Sequence, residues 1–268
     1  MLKDITLGQY FPLDSVIHKI DPRIKLISVI VIIIAVFFCE TLLSFALATL
    51  FNVAVILASK IKIRTVLLAL KPVLFIIIFT AVINLFLTKG EVYLVKWKFI
   101  SITREGVESA VVMAARIVLL VSFSSLLTFT TSPIMLTDGI ESLLKPFSKL
   151  GLPVHELAMM MTIALRFIPT LLEETDKITM AQKSRGADFE NGSLIKRAKA
   201  LVPILVPLFV NSFRRADELA TAMECRCYRG GEGRTRLNEL KLKPFDILAL
   251  IVMIVCSTAV ILIGVFKI

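Results

Sequence analysis

Five apolar runs spaced along almost the whole chain, 21–38, 42–58, 66–87, 106–130 and 245–266, set the first limit on what it can fold into. The hydrocarbon core of a bilayer is about 30 Å thick, and a helix rising about 1.5 Å per residue crosses it in about 20 residues. Hydrophobic residues make up 57% of the 268, and mean hydropathy is +0.85, well above the mixture of a water-soluble domain. These runs predict an all-α integral membrane protein with about five transmembrane helices, retained from the first run onward. Residues 1–20 are polar and mixed, with Asp4 and Asp14, and do not read as a cleaved leader. Asp21 stands ready to cap the first helix, and Pro22 suits its first turn.

The formal net charge of +10 would suggest nucleic acid in a soluble chain, but no basic face with interleaved aromatics is visible. In a membrane protein, basic residues mark the connections that stay cytoplasmic. Lys19, Arg23 and Lys25 lie before or at the very start of the first run, and Lys60, Lys62, Arg64 and Lys71 surround the second connection, whereas the first holds only Glu40. The N-terminus and the second connection are therefore expected in the cytoplasm. The third connection, 88–105, falls outside despite Lys89, Lys96, Lys98 and Arg104, and the alternation over 91–100 predicts a short hairpin. Cys39 and Cys256 accompany apolar runs as small hydrophobes. Cys225 and Cys227 are too close for ordinary metal-ligand spacing, and with only His18 and His155 in the chain neither a zinc site nor a disulfide framework is indicated.

The chain divides into 1–131, an N-terminal segment with four membrane helices; 132–243, a cytoplasmic or interfacial unit of long helices; and 244–268, the last membrane helix. The middle part is too long for a structureless connection. Pro, Ser and Gly punctuation splits it into helices from Ser132-Pro133 to Leu150-Gly151, from Leu152-Pro153 to Arg185-Gly186, and from Ser193 to about Tyr228, before Gly230-Gly231. The second carries Leu157, Met160, Met161, Ala164, Leu165, Ile168, Leu171 and Leu172 at helical spacing. In the third, Pro203 and Pro207 should bend the helix.

Two of these helices close on similar segments, Met-Ala-Gln-Lys-Ser-Arg-Gly-Ala at 180–187 and Met-Glu-Cys-Arg-Cys-Tyr-Arg-Gly at 223–230, with Arg185 and Arg226 lying 41 positions apart. Gly186 suits the left-handed residue that ends a helix, which leaves Arg185 projecting past the last turn. A guanidinium there keeps its charge on burial and grips carboxylates or carbonyls with two parallel bonds. Basic residues also settle at helix C-termini for about 0.3–1 kcal/mol of dipole complementarity alone. Two matched segments favour docking over that simpler role.

The chain resembles the transmembrane T components of energy-coupling factor transporters, a group related to the CbiQ family. The resemblance rests on Gly-Gln-Tyr-Phe-Pro-Leu-Asp-Ser at 8–15, Ile-Asp-Pro-Arg-Ile-Lys at 20–25, Leu-Gly-Leu-Pro at 150–153, Leu-Arg-Phe-Ile-Pro at 165–169 and the two arginine segments. It covers nearly the whole length. The arginine segments resemble the family's paired Ala-Arg-Gly motifs, from which they depart in Ser184 before Arg185 and in Cys225 and Cys227 around Arg226. The resemblance implies two coupling helices that dock on two ABC-type ATPase subunits through Arg185, Arg226, Ser184, Gly186, Cys225 and Cys227, with Arg229 as a weaker third arginine. It implies an interchangeable substrate-binding S component for vitamins or other micronutrients, in a bacterial cell membrane, and a non-catalytic role for this chain. ATP and Mg would sit on the partner ATPases, with no cofactor, metal or nucleic acid here. The form of segment 8–15 suggests a module shared among several S components. Flexible thioethers at Met159, Met160 and Met161 suit contact with varied partners, and Arg116, inside the fourth run, is a further candidate for that contact or a structural cation.

Two other functions fit less well. A stand-alone secondary transporter shows repeats and several ionisable residues at mid-membrane, whereas away from their ends these runs hold essentially Arg116 alone. A membrane enzyme would need carboxylate or histidine clusters, and the chain has no P-loop motif for ATP.

Overall fold

The computed structural model describes residues 10–88, 93–97, 100–187, 189, 193–230 and 241–266. Its helices are α1 (Pro22–Phe37), α2 (Leu42–Ser59), α3 (Ile63–Leu70), α4 (Leu74–Leu87), α5 (Arg104–Thr130), α6 (Pro133–Leu144), α7 (Val154–Ser184), α8 (Leu194–Cys225) and α9 (Pro244–Phe266). Short 3-10 turns at Lys71–Val73 and Lys145–Leu150 join α3 to α4 and extend α6. An antiparallel hairpin of β1 (Tyr93–Trp97) and β2 (Ile100–Thr103) precedes α5, with Trp97 opposite Ile100. The predicted hairpin is thus present, although Lys89, Glu91 and Lys98 lie outside the described residues. The fold is that of an all-α membrane protein with, among the described residues, this one small hairpin.

Five helical segments are long and apolar enough to cross a membrane: Leu42–Ser59, Ile63–Leu87, Arg104–Thr130, Val154–Ser184 and Pro244–Phe266. The expected number holds among the described residues, but the membership differs at two places. α1, expected to span, is only 16 residues long, about 24 Å. Its N-cap Asp21 accepts from the Arg23 amide, and the chain leaves the helix at Phe38 and Cys39. α7, expected as an amphipathic helix outside the apolar runs, qualifies because its first half carries only Glu156 and Arg166 among eighteen residues.

The chain forms two compact units. Among the described residues, one runs from 143 to 230 and the other comprises 10–142 and 241–266. In the second, α1, α2, α5 and α9 pack around Ile32, Ala35, Val36, Phe45, Ala48, Leu119, Phe123 and Val260. Lipid is as apolar as these side chains, so close packing and polar links hold membrane helices together more than the hydrophobic effect does. Ser122 donates to Asn52 Oδ1 at 2.9 Å between α5 and α2. A β-carbon on Gly264 would collide with the Phe38 carbonyl oxygen, so α9 and the end of α1 meet backbone to backbone.

A polar knot ties one end of this unit. Buried Asp246 accepts from the Asp21 and Lys243 amides, and Lys25 Nζ donates to the Thr130 carbonyl at 2.9 Å and to Thr131 Oγ1 at 3.2 Å. Segment 10–20 lies beside it. Phe11 packs edge-on against Phe129, and its carbonyl accepts from His18 Nε2, which leaves Nδ1 to accept from the Ser15 hydroxyl at 2.6 Å. Burial pushes the His18 imidazole below its ordinary value, in the same direction as the nearby Lys25 charge.

The other end is stepped. Arg116 Nη2 donates to the Cys39 carbonyl at 2.8 Å, so the α1–α2 turn sits level with Arg116. α5 begins twelve residues earlier, about 18 Å further along. There the last turn of α4 lies against Gly106, and Thr103 Oγ1 donates to the Thr88 carbonyl.

Candidate functional site

Arg185 and Arg226 occupy the same position in two matched helix ends. At the end of α7, Arg185 is the C-cap, Gly186 follows at φ +85°, and the amides of Gly186 and Ala187 return to the carbonyls of Lys183 and Gln182, each at 3.0 Å. At the end of α8, Arg226 is the C-cap and Cys227 follows at φ +56°. The amides of Cys227 and Tyr228 return to the carbonyls of Glu224 at 2.8 Å and Met223 at 3.0 Å. Both are Schellman motifs, in which two crossed backbone bonds absorb carbonyls that a helix end would otherwise leave bare.

Ser184 and Cys225 are therefore counterparts, as are Gly186 and Cys227. Cys227 bears a β-carbon in a conformation that costs an L-residue about 1 kcal/mol and costs glycine nothing. Ser184, Arg185, Gly186, Cys225, Arg226, Cys227 and Arg229 are all exposed. Among the described residues neither Arg185 nor Arg226 has a hydrogen-bond or ion-pair partner for its guanidinium. Each presents five donors to whatever meets the helix end.

α7 and α8 are held as an antiparallel pair. Glu174 of α7 accepts from Asn211 Nδ2 and, at 3.0 Å, from Arg215 Nη2 of α8. Gln182 Nε2 donates to the Pro203 carbonyl at 3.4 Å. That carbonyl would ordinarily accept from residue 207, but Pro207 has no N–H, so the α7 side chain fills a gap that the proline opens. The pairing places Arg185 beside the first turns of α8, and Arg226 lies about 26 residues further along that helix. The two arginine ends are thus on the order of 40 Å apart along the pair.

The cobalt transport protein family (CbiQ) matches residues 14–237. The chain is 54% identical over 262 residues to the energy-coupling factor transporter transmembrane protein EcfT of Ruminiclostridium cellulolyticum, covering 98% of each protein. It is 57% identical to the EcfT proteins of Clostridium kluyveri, over 93% of each, and of Acidaminococcus fermentans, over 95% of this chain and 94% of that protein. The chain belongs to the EcfT transmembrane components of energy-coupling factor transporters. Membership of this family makes the pair of arginine caps a feature of a transporter's membrane component.

The other residues expected to matter in this EcfT-family chain are not gathered with the caps. Met159, Met160 and Met161 lie in the first third of α7. Successive helical residues turn by about 100°, so they cannot share one face; Met159 is half-buried, while Met160 and Met161 are exposed. Arg116 belongs to the other compact unit, held by the Cys39 carbonyl in the manner of a structural cation. Arg229 lies beyond the second cap and has no counterpart after Gly186. Gln182 and Glu174 were not singled out from the sequence. The missing N–H of Pro207, which requires a donor from elsewhere, was the available sign of Gln182.

Proposed function

We propose that this chain is the coupling subunit of an ATP-driven importer of the energy-coupling factor type, taking up vitamins or comparable micronutrients. In this reading α7 and α8 are coupling helices. Arg185 docks in a groove on one ABC-type ATPase subunit, and Arg226 docks on a second. The observation that supports it is the duplicated cap: two arginines without a side-chain partner among the described residues, with the same backbone frame and at opposite ends of one helix pair, suit two similar partners. When the ATPases close on ATP, the pair moves as one body because Glu174 and Gln182 tie its halves. The movement passes to a separate, interchangeable S component that carries the substrate specificity. ATP and Mg belong to the partners, and the chain itself performs no catalysis. The N-terminus and the α7–α8 unit face the cytoplasm of a bacterial cell.

The deciding experiment co-purifies the chain from membranes with its ATPases and one S component. Arg185→Glu and Arg226→Glu should each reduce ATPase retention at least tenfold and abolish substrate-dependent ATP hydrolysis. Arg185→Lys should fall between, because charge persists while the bidentate fork is lost. Full retention of both ATPases by the Arg185→Glu/Arg226→Glu double variant would overturn the docking role.

A further inference from the structure

The second arginine end carries a pair of thiols that the first lacks. Cys225 and Cys227 are both free and exposed, and they flank the docking arginine as C1 and C′ of the same Schellman cap. Their Cα atoms, two residues apart at a helix end, are separated by about 5.5 Å, inside the range of about 4.4–6.8 Å that a disulfide spans, but side chains two apart at a helix end point away from each other, so the bond closes only as the last turn of α8 and its cap open. A bond between them closes a ring containing a single intervening residue, Arg226. The corresponding positions in α7 are Ser184 and Gly186, which cannot be oxidised in this way.

We propose that Cys225 and Cys227 form a reversible dithiol switch on the Arg226 docking end, with a hydroperoxide as oxidant. The inference rests on the docking reading of Arg226. One thiolate attacks the peroxide O–O bond, becomes a sulfenic acid and releases water or an alcohol. The second thiol then displaces hydroxide from that sulfur as the S–S bond forms, and its proton completes a molecule of water. Two electrons pass from the two sulfurs to the peroxide. The ring constrains the backbone of Arg226 itself and competes with the crossed bonds made by the amides of Cys227 and Tyr228. The α8 cap is also the costlier of the two to hold, because a residue with a β-carbon occupies its left-handed position. Oxidation therefore redirects Arg226 while leaving Arg185 in place, and a thiol reductant restores it. Disulfides in a reducing compartment are characteristically transient and regulatory, as this one would be.

The test uses the full-length chain in membranes lacking its ATPases, exposed to hydrogen peroxide and digested without reduction. The expected result is a peptide 2 Da lighter, linked between Cys225 and Cys227. Binding of added ATPases should fall at least fivefold relative to the same membranes after dithiothreitol. Cys225→Ser and Cys227→Ser, each compared with its own reduced sample, should show no oxidative loss. Over-oxidised cysteines without the link, or a complete link with unchanged ATPase binding, would overturn the switch. A separate arm treats the preassembled complex: protection of both thiols supports docking at Arg226, and equal reactivity in the complex counts against docking without bearing on whether the link forms.

Discussion

Gly186 has open space where a β-carbon would stand, so its contribution is the left-handed backbone alone. Gly186→Ala should weaken the α7 cap by about 1 kcal/mol, and Cys227→Gly should strengthen the α8 cap by a similar amount. Amide hydrogen exchange at residues 187 and 228 should read these as changes of roughly fivefold, in opposite directions. Gly264 is the contrasting case, since its β-carbon would meet the Phe38 carbonyl. Gly264→Ala should force α9 away from α1, seen as a large drop in thermal stability in detergent. The helix-ending role of Gly186 was legible in the sequence because glycine is the ordinary left-handed residue. The same role of Cys227 was not, because cysteine has no such preference and only the backbone bonds reveal it.

For the helices, Pro, Ser and Gly punctuation located α6, α7 and α8 within a few residues, since such residues act through local backbone constraints. The length of α1 was less legible. An apolar run records where lipid or core is tolerated, whereas the end of a helix depends on packing such as that of Phe38 and Cys39 against α9 and Arg116. The pairing of α7 with α8 was hidden as well, because it depends on side chains far apart in sequence. Glu174→Gln should lose the charged bond to Arg215 while leaving Asn211 a possible partner. A cost of about 1 kcal/mol is expected for a pair that is partly open to solvent. Gln182→Leu should leave the Pro203 carbonyl without its cross-helix donor. If the pair moves as one body, this change should lower substrate-dependent ATP hydrolysis more than ATPase retention, measured on the same purified complex.

At the scale of the molecule, acidification should act on the segment around His18. Its folded pKa lies below the ordinary 6.5, so the unfolded chain binds the extra proton first as pH falls. Stability should therefore be fully present above about pH 6.5 and decline from there down to the lowered value. Melting in detergent should show this decline, and His18→Gln should flatten it. Topology can be read in cells: cysteines replacing Glu40 and Arg104 should react with an impermeant thiol reagent from outside, and one replacing Lys62 only after permeabilisation. The membrane character and the arginine ends of this protein were legible in its sequence, as consequences of composition and of local motifs. The stepped end of the helix pack was not, because it depends on how far α1 rises beside α5. Where α1 and α2 turn back level with Arg116, the protein presents only about 24 Å of apolar height along α1 and about 27 Å along α2 to a bilayer of about 30 Å. Lipid beside that face must thin or tilt, at a fraction of a kcal/mol for each Å of mismatch. The membrane next to the low side is thus held slightly strained, and a neighbouring helix bundle that covers the step would relieve it.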